Sequence, residues 1–261
     1  MRQDARRIGR RLAVAATALG VWASVSGADA AEIKVLSAGA VKGVVTELAE
    51  AFKQETGHTV TLTFGTAGEL RQKVAAGEPA DVVIVTDTAL VALAATNAVI
   101  PDTRADIART AIGVAVREGA LLPDISTPDA LKQTVLAAKS LVYVDPGRGA
   151  TSGIHFAGVL QRLGIADTVK GKTLLWPGGY AAEAVAKGQA ELCVHQISEI
   201  LPVKGVTLVG PLPRELQKIT TYSAAVPARA AAPEVGRAFI AFLTRPSFKA
   251  KFAVAGLDYR E

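Results

Sequence analysis

Cysteine is nearly absent from this chain of 261 residues: Cys193 is the only one. No intramolecular disulfide can form, so the fold depends on its apolar core. Cys193 lies in an apolar strand, where a buried structural thiol is expected rather than a nucleophile. Histidine is almost as scarce, with His58, His155 and His195 widely separated. That scatter gives no zinc spacing, and no metal or cofactor is expected. No G-x-S-x-G elbow surrounds Ser152. No turn carries a P-loop lysine or a G-x-G-x-x-G fingerprint, which argues against nucleotide chemistry. Aromatic residues make up 5% of the chain, and no Lys/Arg run interleaves with them. Nucleic acid is therefore not an expected partner. Beyond residue 30 no apolar run reaches the ~20 residues of a membrane-spanning helix. No internal repeat is evident.

The first thirty residues stand apart. Arg2, Arg6, Arg7, Arg10 and Arg11 precede an apolar stretch from Leu12 to Ala23, and Ala28-Asp29-Ala30 has the form of a cleavage site. Residues 1–30 read as a secretory signal peptide, and the mature chain is expected in a periplasm. The segment holds five Arg and two Asp, so Lys+Arg falls from 29 to 24 and Asp+Glu from 24 to 22. The net charge drops from +5 to +2, and the basic pI belongs partly to the export signal.

Apolar periodicity in the remainder alternates between strand and helix. Strands are expected at 33–36, 59–64, 82–85, 111–116, 141–144, 173–175, 192–195, 206–209 and, as a long extended stretch, 218–226. Helices are expected after the first three strands, at 153–163 and 181–187, and at 233–243 and 246–254, where Pro233 and Pro246 suit a first helical turn. Short links between strand and helix argue for an α/β fold with parallel sheets. If the last two helices return to the first unit, the chain crosses twice between lobes. Residues 31–112 with 226–261 then form one lobe, and 113–225 the other.

Four strand–helix junctions share a character. Ser37-Ala38-Gly39-Ala40, Gly65-Thr66-Ala67-Gly68, Gly149-Ala150-Thr151-Ser152-Gly153 and Gly178-Gly179-Tyr180 are all short turns of small or hydroxyl residues. Each aims backbone N–H groups and a helix dipole at the space before it. Ligands of open α/β sheets bind beyond the carboxyl ends of strands, where these turns lie. Two turns per lobe point to an anion held in an interlobe cleft.

Particular strings extend this reading. Ile33-Lys34-Val35-Leu36, Phe64-Gly65-Thr66-Ala67-Gly68, Gly77-Glu78-Pro79-Ala80-Asp81-Val82, Ser152-Gly153-Ile154 and Leu160-Gln161-Arg162-Leu163-Gly164 resemble the periplasmic molybdate-binding protein family across nearly all of the mature chain. The resemblance implies a two-lobed type II periplasmic binding protein with two interdomain crossovers, working as a monomer beside an ABC-type permease. The family's two serine ligands fall on Ala40 and Ala67, its two backbone N–H contacts on Ser152 and Tyr180, and its tyrosine on Gln196. The expected hydroxyls are thus missing, which argues for a larger organic acid over molybdate.

Ser37, Gly39, Ala40, Thr66, Ala67, Gly68, Arg148, Thr151, Ser152, Tyr180 and Gln196 are the expected ligand-binding residues. Arg148 is the candidate carboxylate clasp, while Lys42 and Arg71 read more simply as solvated charges. Glu69 reads as a complement to its helix start. The first two turns also resemble an aconitate isomerase subgroup of this family, which implies an allylic proton shift as the alternative function. His155 and His195 are then the candidate bases. His58 reads as a loop residue.

Overall fold

The computed structural model describes residues 30–258. The expected export segment lies outside the described residues apart from Ala30. The first lobe opens with β1 (Glu32–Ala38), α1 (Lys42–Thr56), β2 (Thr59–Gly65), α2 (Ala67–Ala75), β3 (Val82–Thr86), α3 (Asp87–Ala95) and β4 (Ala105–Thr110). The second runs through β5 (Ile112–Arg117), α4 (Pro128–Ala137), β6 (Leu141–Val144), α5 (Thr151–Arg162), α6 (Ala166–Lys170), β7 (Thr173–Trp176), α7 (Ala182–Ala186), β8 (Leu192–Gln196), α8 (Ile197–Ile200) and β9 (Val206–Pro211). The chain then returns to the first lobe with β10 (Thr220–Ala225), α9 (Pro233–Leu243) and α10 (Lys249–Val254).

Two five-stranded sheets result, ordered β2-β1-β3-β10-β4 and β7-β6-β8-β5-β9. They are mixed rather than purely parallel. β10 pairs antiparallel with β3 and β4, and β5 antiparallel with β8 and β9. The reason is the double crossing. β1, β2 and β3 point their carboxyl ends at the cleft, so a strand arriving from the other lobe enters at that end and must run away from it. β10 and β5 are the two arriving strands.

Two expectations need correction. The expected lobe boundary at residue 225 puts Thr220–Ala225 in the second lobe, yet it hydrogen-bonds within the first sheet, so the return crossing falls upstream, between β9 and β10. β4 is not among the strands expected from periodicity. Its burial alternates, with Ala108 buried and Arg109 exposed, as suits a strand at the sheet edge. At the crossings, the Gln217 amide accepts from Ile112 N–H and donates to Ile112 C=O, both at 2.9 Å. One side chain thereby acts as a strand partner and ties the two connecting segments together.

Val82–Val85 is wholly buried, which explains its unbroken β-branched run. The C-terminal helices pack on the first lobe: Phe239 and Phe242 meet Phe52 of α1 at ring-centroid distances of 5.1 and 5.3 Å. The second sheet is covered on both faces, by Leu131, Phe156 and Leu160 on one side and by Ala182, Val185 and Ile200 on the other. No helix among the described residues is long and apolar enough to cross a membrane.

Candidate functional site

A cavity of about 530 Å³ lies between the lobes, at the carboxyl ends of the strands. Gly39, Ala40, Thr66, Ala67, Thr151, Ser152, Gly178, Gly179 and Tyr180 line it, so all four turns contribute. Its remaining wall includes Lys42, Arg148, Trp176, Glu183, His195, Gln196, Glu199 and Tyr222.

The helix starts around it differ in one respect. α3 and α4 add no residue to the cavity, and Thr86 and Thr127 side chains cap them. α1 and α5 begin at the cavity and have no side-chain cap. The first N–H groups of α5 are left for another acceptor, whereas α1 continues a 3-10 turn, Gly39–Val41, in which Lys42 N–H donates to Gly39 C=O, so the open groups on that side are those at the start of the turn. Gly153 lets α5 begin so close to its strand. A Cβ there would lie 1.9 Å from the Val144 carbonyl oxygen.

The second turn is built otherwise. Thr66 and Glu69 form a reciprocal capping box over the start of α2. The Thr66 hydroxyl also donates to the Arg148 carbonyl across the cleft at 2.5 Å. Gly68 N–H donates to Gly149 C=O at 3.2 Å. A Cβ on Gly68 would come within 2.8 Å of Gly149 Cα. Arg148 pairs with Glu69 at 2.6 Å. These contacts join the two lobes over the ligand space.

Several expected ligand residues are therefore placed differently. Arg148 lines the cavity, but its guanidinium already holds Glu69. Gly68 is absent from the lining, because its N–H faces Gly149. Ser37 is fully buried behind the first turn, where its hydroxyl donates to Ala38 C=O. Arg71 also lies outside the cavity. Lys42, read as a solvated charge, instead sits in the wall. Its ammonium is 5.4 Å from the Phe64 ring centroid and 5.7 Å from that of Tyr180, the latter across the cleft.

The two candidate bases separate cleanly. His155 does not line the cavity, and its Nε2–H donates to Leu216 C=O at 2.7 Å. It anchors α5 to the return crossing. His195 does line the cavity and is 2% exposed. Its Nε2 must carry a proton, since it faces the Gly179 carbonyl at 3.0 Å. Nδ1 faces Ser152 Oγ at 3.0 Å. His58 is remote, stacked on Phe52 and accepting from Ala31 N–H.

Glu199 escaped the sequence reading. It lies on α8, with Oε2 3.5 Å from His195 Nε2. Burial pushes its carboxyl above the usual carboxylate range, and nearby His195 pulls the other way. Burial also raises the Tyr222 hydroxyl, with a further push from Glu199. The signal available in sequence was the i,i+4 spacing of His195 and Glu199 across a strand–helix junction. Gln196, at the position expected for a tyrosine, is 1% exposed. Its Nε2 donates to the Thr220 and Tyr222 hydroxyls, and its Oε1 has no hydrogen-bond partner among the described residues.

Two lobes, two crossing segments and a cleft between helix starts define a periplasmic-binding-protein fold. The chain belongs to the bacterial extracellular solute-binding protein family, whose model matches residues 33–258. It is 35% identical to an aconitate isomerase of Pseudomonas sp. over 217 residues, 81% of each chain. It is 27% identical to the molybdate-binding protein of Escherichia coli K12 over 203 residues, 76% of this chain and 78% of that one. The Azotobacter vinelandii periplasmic molybdate-binding protein shares the fold, with a TM-score of 0.73 at 20% identity, covering 88% of this chain and 100% of the other.

Proposed function

We propose that this protein works in the periplasm as a solute-binding protein, closing its lobes over a small organic anion that bears carboxylates. A permease of the ABC type would receive the closed form. The observation that carries this reading is a pair of helical starts without a side-chain cap, the 3-10 turn Gly39–Val41 that leads into α1 and the first turn of α5, which meet at one cavity. Lys42 adds a cation to that wall. The cavity volume falls in the ~300–1,000 Å³ range of small-molecule sites. Ala40 and Ala67 enlarge it where the molybdate-binding family has serines. A tetrahedral oxyanion would leave both positions without a hydroxyl donor.

A thermal-shift and calorimetric screen of molybdate, tungstate, sulfate, citrate and trans-aconitate tests this. The expected result is tight binding of a polycarboxylate. Tight molybdate or tungstate binding with no response to either polycarboxylate would overturn it.

A second reading has its own support. The buried Glu199 and His195 put acid–base groups in the cavity wall, which simple capture of an anion does not require. The relative that is 35% identical is an isomerase. On this reading the ligand is an unsaturated tricarboxylate whose double bond moves one position along and re-forms in the other geometry. Incubation with trans-aconitate, followed by chromatography for the cis form, separates the readings. Binding without conversion leaves the transport reading alone.

A further inference from the structure

We propose that Glu199 is the acid–base residue of the cleft, moving a proton between the two ends of a ligand's allylic system, with His195 and Ser152 as its positioning residues. The proposal rests on the isomerase reading. Glu199 belongs to the second lobe yet reaches the first: a Cβ built on Gly39 would lie 2.9 Å from its Oε1. The carboxyl therefore sits where the closed lobes meet, 7% exposed and in the cavity wall.

Its surroundings are fixed by a chain of contacts. Ser152, in the first turn of α5, holds His195 Nδ1, while the Gly179 carbonyl holds Nε2. Both ring nitrogens are thus engaged, which leaves His195 poorly placed to take a proton from a ligand. Among the described residues, Glu199 has His195 as its one ion-pair partner. The other titratable and charged groups facing this space are Tyr180 and Glu183 by α7, Tyr222 on β10, Lys42 on α1, the Glu69–Arg148 pair at the second and third turns and, behind the wall, Cys193 on β8. Desolvation raises the carboxyl above the usual carboxylate range, while nearby His195 pulls it down.

The step balances without a co-reactant. Glu199 as carboxylate takes a proton from the CH₂ carbon beside a ligand carboxylate. The C–H pair moves into the allylic system, and its negative charge spreads onto the carboxylate oxygens. The N–H groups at the starts of the Gly39–Val41 turn and of α5 and the Lys42 ammonium are available to those oxygens. The Glu199 carboxyl then returns the proton to the former vinyl carbon, and the double bond re-forms one position over.

Glu199→Gln tests the proposal on the mature protein with trans-aconitate. The expected result is a kcat reduced ~10²–10⁴-fold with calorimetric affinity nearly kept. Turnover equal to wild type would overturn the proposal and leave the isomerase reading intact. A wild type that binds aconitate but neither converts it nor incorporates deuterium from D₂O would overturn both. Should the Gln variant fail to fold, Glu199→Asp keeps the carboxyl one methylene shorter. Reduced turnover with an intact fold is then expected, and undiminished turnover would overturn the proposal. His195→Gln removes a cation-forming neighbour, so the rising limb of the kcat–pH profile should move to higher pH. An unmoved profile would remove His195 from its positioning role.

Discussion

The second and third turns look alike in sequence, both rich in glycine, threonine and alanine, and both at the start of a helix. They do opposite things. The second turn satisfies its own helix through Thr66 and Glu69 and spends its remaining polar groups on the other lobe. The third leaves α5 uncapped and uses Ser152 to hold His195. One turn fastens the cleft and the other furnishes it. A helix start that faces a cavity is therefore not yet a ligand site. What matters is whether another acceptor of the same chain reaches it first.

The largest expected disturbance is Gly153→Ala. Its Cβ would drive into the Val144 carbonyl oxygen, and the backbone of α5 must shift. A loss of about 3 kcal/mol in urea unfolding is expected, with anion binding lost as well. Unchanged stability would show that the third turn is looser than its packing implies.

Gly68→Ala breaks the fastening instead. The wedge against Gly149 lies between the lobes and outside either core. A more open particle by small-angle scattering and an affinity about tenfold weaker, about 1.4 kcal/mol, are expected with little change in unfolding. An equally compact variant of full affinity would show that closure does not depend on this contact.

Ala150→Ser makes the third turn resemble the second. A serine at the N-cap of α5 would take up the N–H groups left open there. Stability is expected to rise by up to ~1 kcal/mol while anion affinity falls. A gain in both would show that those N–H groups do not meet the ligand.

The smallest effect is electrostatic and separates two glutamates by sign. Partial burial pushes the Glu69 carboxyl up, but the Thr66 N–H and the Arg148 guanidinium outweigh it and hold it below the usual range. Its contribution is present above the ordinary glutamate value and lost as pH falls through the lowered one. The pair is partly exposed, so less than ~1 kcal/mol is expected. Glu199 is raised, so its contribution is present below the ordinary value and lost as pH rises through the raised one. Carboxyl ¹³C NMR with Glu69→Gln and Glu199→Gln assignments should find the two midpoints on opposite sides of the ordinary glutamate value.

Much of this architecture was legible in the chain. Buried β-branched runs such as Val82–Val85 mark central strands, and Pro233 marks the start of α9. β4 was not legible, because an edge strand that alternates Ala, Ile, Asp and Arg resembles a polar link. Most of the expected site residues do line the cavity. Ser37, Gly68 and His155 do not, since each is engaged by nearby backbone. Glu199 does not stand out despite its i,i+4 spacing from His195, because a carboxylate in a short helix ordinarily faces water.

The sequence by itself determined the units: strands, helices, and four small-residue turns placed where donors gather. Those follow from local periodicity and from residues that tolerate tight turns. Only the tertiary structure decided which donors remain open and which carboxyl is buried among them. Those outcomes depend on groups distant in sequence, as Thr66 is from the Arg148 carbonyl 82 positions away. Such groups meet only when two lobes, joined by two crossing segments, come together.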